Sequence, residues 1–178
     1  MTTTGVNLIK SPSVLSSWTD FTKNDMESYN LLKSGIEIPK LNGAVSFGIG
    51  ADVSLQYSDR DANVLTVPLV ELGYKQKFPE VCGLKPNVDV RYRNIGGTNQ
   101  LRTTAGLTKS INNRASVFTK LGYTTVFEDG KDKINIFVGG DYKLSENISI
   151  GADIQQNIKL DDMSMSPLIF GAGVTCKF

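Results

Sequence analysis

The sequence predicts an all-β fold: an antiparallel, up-and-down transmembrane β-barrel of about eight strands, preceded by an N-terminal arm or short helix. Three observations predict it. First, from residue 43 to the C-terminus, long segments separated by turn residues alternate between apolar residues and small or polar ones. Second, charges of both signs share the polar parity, and third, tyrosines recur on the apolar parity. Residues 43–178 are therefore the predicted barrel, and residues 1–42 form a separate predicted segment.

Residues 1–42 do not show the same alternation. Ser11 or Ser13 could cap a helix that carries Pro12 in its first turn, and Gly35 suits a helix C-terminus. Apolar residues between these positions roughly follow helical spacing. Two interpretations remain equal: a helix that lies in the lumen or at the membrane surface, and a partly ordered polar arm.

The segment Gly43 to Ser58 gives the clearest strand. Every second residue from Gly43 to Tyr57 is uncharged and mostly apolar, and the intervening residues are small or polar. A strand places successive side chains on opposite faces, so this segment has one apolar and one polar face. At about 3.3 Å per residue it spans roughly 50 Å, which exceeds an ordinary strand and suffices for a tilted membrane crossing.

The second predicted strand, residues 64–78, alternates only in its C-terminal half. Its first half is apolar on both faces and contains Pro68. Proline within a paired strand removes a donor from the hydrogen-bond ladder. The sequence therefore predicts a bulge or a change of register at Pro68.

Six further segments alternate in the same way and are separated by turn residues: 84–93, 101–111, 115–127, 134–144, 148–159 and 168–178. The connections after the second, fourth and sixth predicted strands look short, and the others look longer and more polar. Short turns at one rim and longer loops at the other are typical of transmembrane barrels. An even number of strands places both termini at the short-turn rim.

The composition excludes several classes of protein. The formal net charge is +1, so no global basic field attracts nucleic acid, and the sequence lacks histidine entirely. No catalytic residue, metal site or cofactor is predicted, because a histidine base is absent and Cys82 and Cys176 have no metal-binding spacing. No run of about 18 apolar residues predicts a membrane helix.

The polar parity of the strands predicts the lining of the lumen. Its charged members have mixed sign and could neutralise one another in a narrow interior: Asp52, Glu71, Lys75, Asp89, Arg91, Arg102, Lys120, Asp141 and Asp153. Carboxylates such as Asp89 could serve acid–base chemistry, but a network of ion pairs is the favoured interpretation.

The aromatic residues of the apolar parity predict contact with a membrane. Several lie near predicted strand ends, where aromatic girdles meet the membrane interfaces: Tyr57, Tyr74, Tyr92, Tyr123, Tyr142 and Phe178. Membrane lipid is therefore an expected partner. The alternative is a soluble, lipocalin-like barrel whose apolar faces point inward around a small apolar ligand.

Two segments carry a family resemblance. The segment 139–153, GGDYKLSENISIGAD, resembles the hairpins of small bacterial outer-membrane barrels of the OmpA-like and opacity-type families. The ending FGAGVTCKF is similar to their terminal strand, which finishes in an aromatic residue. The resemblance implies recognition of this strand by the barrel-assembly machinery. It also implies a bacterial outer-membrane protein with a structural, adhesive or narrow-pore role.

The location has a second interpretation. The ending is also similar to the sorting signal of mitochondrial outer-membrane barrels, and MTTTGVNLIK has no basic region followed by an apolar core. We therefore expect either a bacterial protein whose signal peptide has been removed or replaced, or a pore of an organellar outer membrane.

Overall fold

The computed structural model describes residues 9–22, 25–57, 62–128 and 130–178. Within these ranges the chain forms ten strands, in the order β1 (Ile9–Phe21), β2 (Asp25–Ile38), β3 (Gly43–Tyr57), β4 (Ala62–Lys77), β5 (Leu84–Ile95), β6 (Thr98–Ser110), β7 (Ala115–Val126), β8 (Lys131–Lys143), β9 (Ile148–Lys159) and β10 (Ile169–Lys177). A short 3₁₀ turn, Pro39–Leu41, joins β2 to β3. Among the described residues, no helix has the length and apolar character needed to cross a membrane.

The sheet closes on itself. Each strand pairs antiparallel with its neighbours in the chain, and β1 pairs with β10 from Val14↔Lys177 to Phe21↔Phe170. Closure leaves no strand edge with unpaired backbone groups, which is the condition for a sheet in a hydrocarbon environment. The prediction of a closed, antiparallel, up-and-down barrel is confirmed.

The number of strands differs from the prediction of about eight, because most of the segment predicted as an N-terminal arm or short helix forms strands instead; residues 1–8 of that segment lie outside the described residues. Residues 9–38 form β1 and β2, which pair with each other and with β10 and β3. The alternation of β1 is interrupted by a register shift between Ser11 and Val14, next to Pro12. Beyond the bulge the inward positions include Trp18, so apolar and polar residues do not segregate between the two faces as they do in β3.

Pro68 causes no bulge, and that prediction is also wrong. The β3–β4 register runs without a shift through Ala51↔Pro68. The β4–β5 ladder ends one residue later, at Leu69↔Ile95, and the Pro68 carbonyl accepts a hydrogen bond from the backbone N–H of Gly96. A residue's N–H and C=O point to the same side of a strand. The missing donor of Pro68 therefore points past the end of the β4–β5 ladder and removes no bond from it.

Most connections are short at both rims, so the predicted general difference between the rims is not seen; the exception is the β9–β10 connection of residues 160–168 at the distal rim, which is the longest and was expected to be long. The terminal rim carries residues 9 and 178, and the distal rim lies at the opposite end. Gly96 and Gly97 alone join β5 to β6 at the distal rim, where longer loops were expected. Their φ values of 58° and 96° lie in the left-handed region that glycine tolerates, which permits this tight hairpin.

The apolar residues divide between a large outer face and a small inner cluster. The four buried apolar side chains among the described residues are Leu31, Leu69, Phe118 and Phe137, and all lie on the inward parity. On β3 to β10 the outward positions in the middle of the strands are mostly apolar and exposed, as at Phe47, Leu121 and Val138. This arrangement is opposite to that of a lipocalin-like barrel, whose apolar faces point inward.

Candidate functional site

The lumen contains a cavity of about 420 Å³ that follows the barrel lengthwise. Thr22 and Asp25 line it near the distal rim, and Lys75 and Asn87 line it toward the terminal rim. Since a water molecule occupies about 30 Å³ of liquid volume, the cavity has room for on the order of a dozen waters. Eight of the nine charged residues predicted from parity line it: Asp52, Lys75, Asp89, Arg91, Arg102, Lys120, Asp141 and Asp153.

The ninth, Glu71, lies beneath neighbouring side chains and is 1% exposed. Its Oε1 lies 2.5 Å from Lys33 Nζ, and its Oε2 accepts a hydrogen bond from Arg93 Nε at 2.7 Å. Arg91 Nη1 is 3.9 Å from Oε2. One carboxylate from β4 is thus surrounded by three cations from β2 and β5. Breaking such a buried group of charges leaves uncompensated charge.

A glycine makes this cluster possible. Lys33 lies on β2 and must cross β3 to reach Glu71 on β4. A Cβ atom at Gly48 of β3 would lie 3.2 Å from Lys33 Cγ and 3.0 Å from Leu31 Cδ1. The absent side chain therefore leaves the path that the lysine stem occupies.

Asp89 and Arg91 form a second ion pair on β5. Arg91 donates from Nε to Asp89 Oδ1 at 2.8 Å and from Nη2 to Oδ2 at 2.6 Å. Such a bidentate pair is stronger and more directional than a single hydrogen bond to a charged group. It fixes the guanidinium between Asp89 and Glu71 along one side of the lumen.

The remaining charges separate around the barrel into two walls. The basic wall is carried by four consecutive strands, β4 to β7, and consists of Lys75, Arg91, Arg93, Arg102 and Lys120. The acidic wall is carried by β8, β9 and β1 to β3, and consists of Asp141, Asp153, Asp20, Asp25, Glu27 and Asp52. Glu71 and Asp89 are exceptions on the basic side, and each is ion-paired there. Lys33 and Lys133 are the exceptions on the acidic side.

Two cations of the basic wall lie over aromatic rings. The Arg102 guanidinium carbon is 4.4 Å from the Phe137 ring centroid, and Lys120 Nζ is 4.0 Å from that of Phe118. Cation–π attraction holds a cation at the face of a ring without neutralising it. No ion pair within the described ranges involves Arg102 or Lys120, so their charges remain directed at the cavity.

Trp18 lies flat against the inner wall where the barrel closes. A Cβ at Gly173 of β10 would collide with the Trp18 ring, and one at Gly151 of β9 would lie 3.1 Å from its Cζ3. The indole Nε1 donates to Asp20 Oδ1 at 2.8 Å. The indole therefore extends from β1 across β10 to β9, on glycines that leave space for it.

A chain of uncharged polar side chains lines the wall near the distal ends of β7 to β9. Thr124 donates to Asn135 Oδ1 at 2.6 Å, and Asn135 Nδ2 donates to Asn157 Oδ1 at 2.8 Å. Gln155 Nε2 donates to the same Asn157 oxygen at 2.6 Å. These buried amides satisfy one another, so this part of the lumen keeps a fixed polar surface.

A second cavity, of about 910 Å³, opens at the terminal rim. It is lined by the β6–β7 and β8–β9 turns, including Arg114, Glu146 and Asn147. Asp141 lines both this cavity and the lumenal one. The polar interior therefore continues from the distal end of the barrel to the terminal rim.

The predicted aromatic residues occupy two levels. Tyr74, Tyr142 and Phe178 lie toward the terminal rim, and Tyr92 and Tyr123 lie toward the distal rim. Tyr92 is 41% exposed and donates to Asn99 Oδ1 at 2.5 Å. Tyr57 ends β3 at the distal rim, but its side chain lies outside the described residues.

Several lumenal residues were missed from the sequence. Parity within a correctly predicted strand could have identified Arg93, which follows Arg91 by two positions. Trp18, Asp20, Glu27, Tyr29 and Lys33 were missed because β1 and β2 were not predicted. Within the described ranges, no group of three or more histidine, cysteine, aspartate or glutamate residues could hold a metal ion.

The fold is similar to that of solved porins. The KdgM porin is 10% identical, with a TM-score of 0.52, over 93% of this chain and 99% of that one. The NanC porin is 10% identical, with a TM-score of 0.50, over 93% of this chain and 100% of that one. No protein-family model matches the chain, and no curated protein matches it by sequence. The likeness is one of fold, to outer-membrane β-barrels in general and not to the OmpA-like or opacity-type barrels in particular.

Proposed function

We propose that this protein is a narrow, water-filled pore of an outer membrane, with no enzymatic activity. The observation that carries the proposal is the pairing of two surfaces in one closed barrel. The outer face is mostly apolar and exposed in the middle of β3 to β10, and the inner face is polar around a cavity that follows the barrel. Lipid acyl chains can cover the apolar outer face, and water can hydrate the polar inner face.

The tyrosines at two levels also support an outer face that points to lipid, so membrane lipid is the proposed partner of that face. The residues at its two interfaces are Tyr74, Tyr92, Tyr123 and Tyr142. The barrel-assembly machinery is the partner proposed for folding. A bacterial outer membrane is the proposed location, and an organellar outer membrane is the alternative. Apart from the β9–β10 connection of residues 160–168, the connections are short and offer little surface for adhesion, so a pore is preferred to an adhesive role.

Conductance across a planar lipid bilayer tests the pore directly. The refolded protein should produce discrete steps in KCl solution. Thr104 lines the cavity and Thr103, its neighbour on β6, has the opposite parity and is exposed. We expect Thr104→Trp to reduce the step size, because an indole would occupy lumenal volume, and Thr103→Trp to leave it unchanged.

Two results would contradict the pore. Protein that is folded in vesicles but produces no steps would instead favour a structural role with a sealed lumen. Equal reduction by both tryptophan variants would show that the steps do not pass through this cavity.

A further inference from the structure

The basic wall and the acidic wall lie on opposite sides of the lumen, and this separation of charge affects which solutes can enter. Arg102 on β6 and Asp20 on β1 lie half a turn apart around the ten-stranded barrel, and they interact electrostatically across the cavity. Lys120 and Arg102 also attract Asp153, which lies two and three strands away from them around the barrel. Lys33 and Glu71, the exceptions of opposite sides, form an ion pair, but no described ion pair joins a cation of the basic wall to a carboxylate of the acidic wall.

Separated charges produce a field across the lumen. A small lumen with low-dielectric walls strengthens such a field. A solute with a single charge is favoured at one wall only. A solute with both a carboxylate and an ammonium group can face both walls at once and adds no net charge to the lumen.

We infer that the lumen prefers small dipolar solutes, of the class to which free amino acids belong. Their carboxylate is oriented toward Arg102 and Lys120, and their ammonium group toward Asp20 and Asp153. This inference rests on the proposed pore and specifies its solute class. The balance of seven acidic against six basic lining residues also gives neither free anions nor free cations an advantage.

Uptake into vesicles tests the inference with four solutes of four carbons each: threonine, threonate, threoninol and erythritol. At neutral pH these are dipolar, anionic, cationic and uncharged. Threonine should enter several-fold faster than the other three through the reconstituted protein. Entry of erythritol above the rate of protein-free vesicles, with threonine no faster, would overturn the solute preference and leave the pore intact. Entry of none of them would overturn both.

A double variant gives a matched control. Asp20→Asn with Arg102→Gln removes one charge from each wall and preserves the net charge. Glu80→Gln with Lys85→Gln makes the same change at the exposed turn that leads into β5, where the two groups are 3.9 Å apart. The lumenal pair should lose the threonine preference and the turn pair should keep it. Retention of the preference by the lumenal pair would overturn the assigned orientation.

A different observation, on the outer face, carries a second inference. On the outward faces of β1 and β2, Ser17, Thr19, Ser28 and Asn30 form an outer polar patch, and the exposed Leu15 and Leu32 border it toward the terminal rim. Ser17 and Asn30 lie near the middle of their strands, Thr19 and Ser28 lie nearer the distal rim, and β3 and β10 present apolar residues on either side. Polar side chains that face hydrocarbon are costly unless a partner satisfies them.

Part of the patch satisfies itself and part does not. Thr19 Oγ1 and Ser28 Oγ are 2.8 Å apart. Asn30 is exposed and pairs in register with Ser17, and its side-chain amide makes no hydrogen bond to the described residues. The amide has both donors and an acceptor. Two copies of it related by a two-fold axis can therefore satisfy each other.

We propose that a second copy of this chain covers the outer polar patch, so that β1 and β2 form a two-fold dimer interface within the membrane. The patch is uncharged, which does not favour a charged partner. Its self-complementary amide and hydroxyl groups fit a symmetric contact.

Disulfide cross-linking in vesicles tests the dimer in a background with Cys82→Ser and Cys176→Ser. Ser17→Cys should give a covalent dimer, and adding Asn30→Leu should reduce it strongly. Thr119→Cys, which is exposed on the outer face of β7, is the control and should give little dimer. Equal cross-linking at positions 17 and 119, or none at position 17, would overturn the interface.

Discussion

At the scale of single residues, Glu71 is the ionic centre of the barrel wall. It combines 1% exposure with contacts to Lys33 at 2.5 Å and Arg93 at 2.7 Å. Its removal leaves these cations without their counter-charge, whereas the exposed Glu80 contributes to an ion pair of 3.9 Å only.

We predict that Glu71→Gln lowers the free energy of unfolding by about 3–5 kcal/mol. Glu80→Gln should lower it by less than about 1 kcal/mol, because exposed ion pairs contribute little. Urea unfolding of the protein in lipid vesicles measures both. Equal stability of Glu71→Gln and the parent protein would show that the cluster does not hold the wall together.

The sequence already placed much of the lumen at this scale. Parity alone predicted that Asp89, Arg91 and Arg102 face the lumen, because a strand fixes the direction of each side chain. It could not show that Glu71 is buried while Lys75 borders a cavity. That difference depends on Lys33, which comes from a strand that the sequence did not reveal.

At the scale of elements, the closing seam depends on β1, β9 and β10. Gly173 and Gly151 leave a flat surface on which Trp18 lies, so one side chain covers the inner face of three strands. Gly173 faces inward, and its neighbour Ala172 faces outward and is exposed.

We predict that Gly173→Val displaces the Trp18 ring into the lumen, because a Cβ at this position collides with it. Fluorescence quenching of Trp18, the only tryptophan, by acrylamide in the aqueous phase should increase. Ala172→Val on the same strand should leave the quenching unchanged. An unchanged signal in Gly173→Val would mean that the indole does not depend on the glycine surface.

The strands differ in how well the sequence predicts them. The strands β3 to β10 were expected within a few residues of their observed ends, because their outer faces are mostly apolar. The strands β1 and β2 place Thr19 and Ser28 outward and Trp18 inward. Their hydroxyl pairs and the bulge near Pro12 conceal the alternation on which the prediction depended.

At the scale of the whole molecule, the outer apolar face decides whether the barrel belongs in lipid. Val138 is 58% exposed in the middle of β8, and Leu144 is 53% exposed in the turn that follows. In water, an arginine would cost about the same at these two positions. In a membrane it would cost more at position 138, because only that position lies at mid-height.

We predict that Val138→Arg lowers the free energy of unfolding in vesicles by about 2–4 kcal/mol, and that Leu144→Arg lowers it by about 0–1 kcal/mol. The comparison uses the same urea titration as above. A similar small effect at both positions would indicate that the outer face meets water.

Quenching by brominated lipid tests the central claim most directly, since bromine in the acyl chains quenches only tryptophans that contact the hydrocarbon. The parent protein carries Trp18 on the lumenal face, and Leu121 is exposed on the outer face of β7. We predict little quenching of Trp18 and strong quenching of Leu121→Trp in a Trp18→Phe background. Weak quenching at position 121, or stronger quenching at position 18, would contradict a barrel whose apolar face meets lipid and whose polar face encloses water.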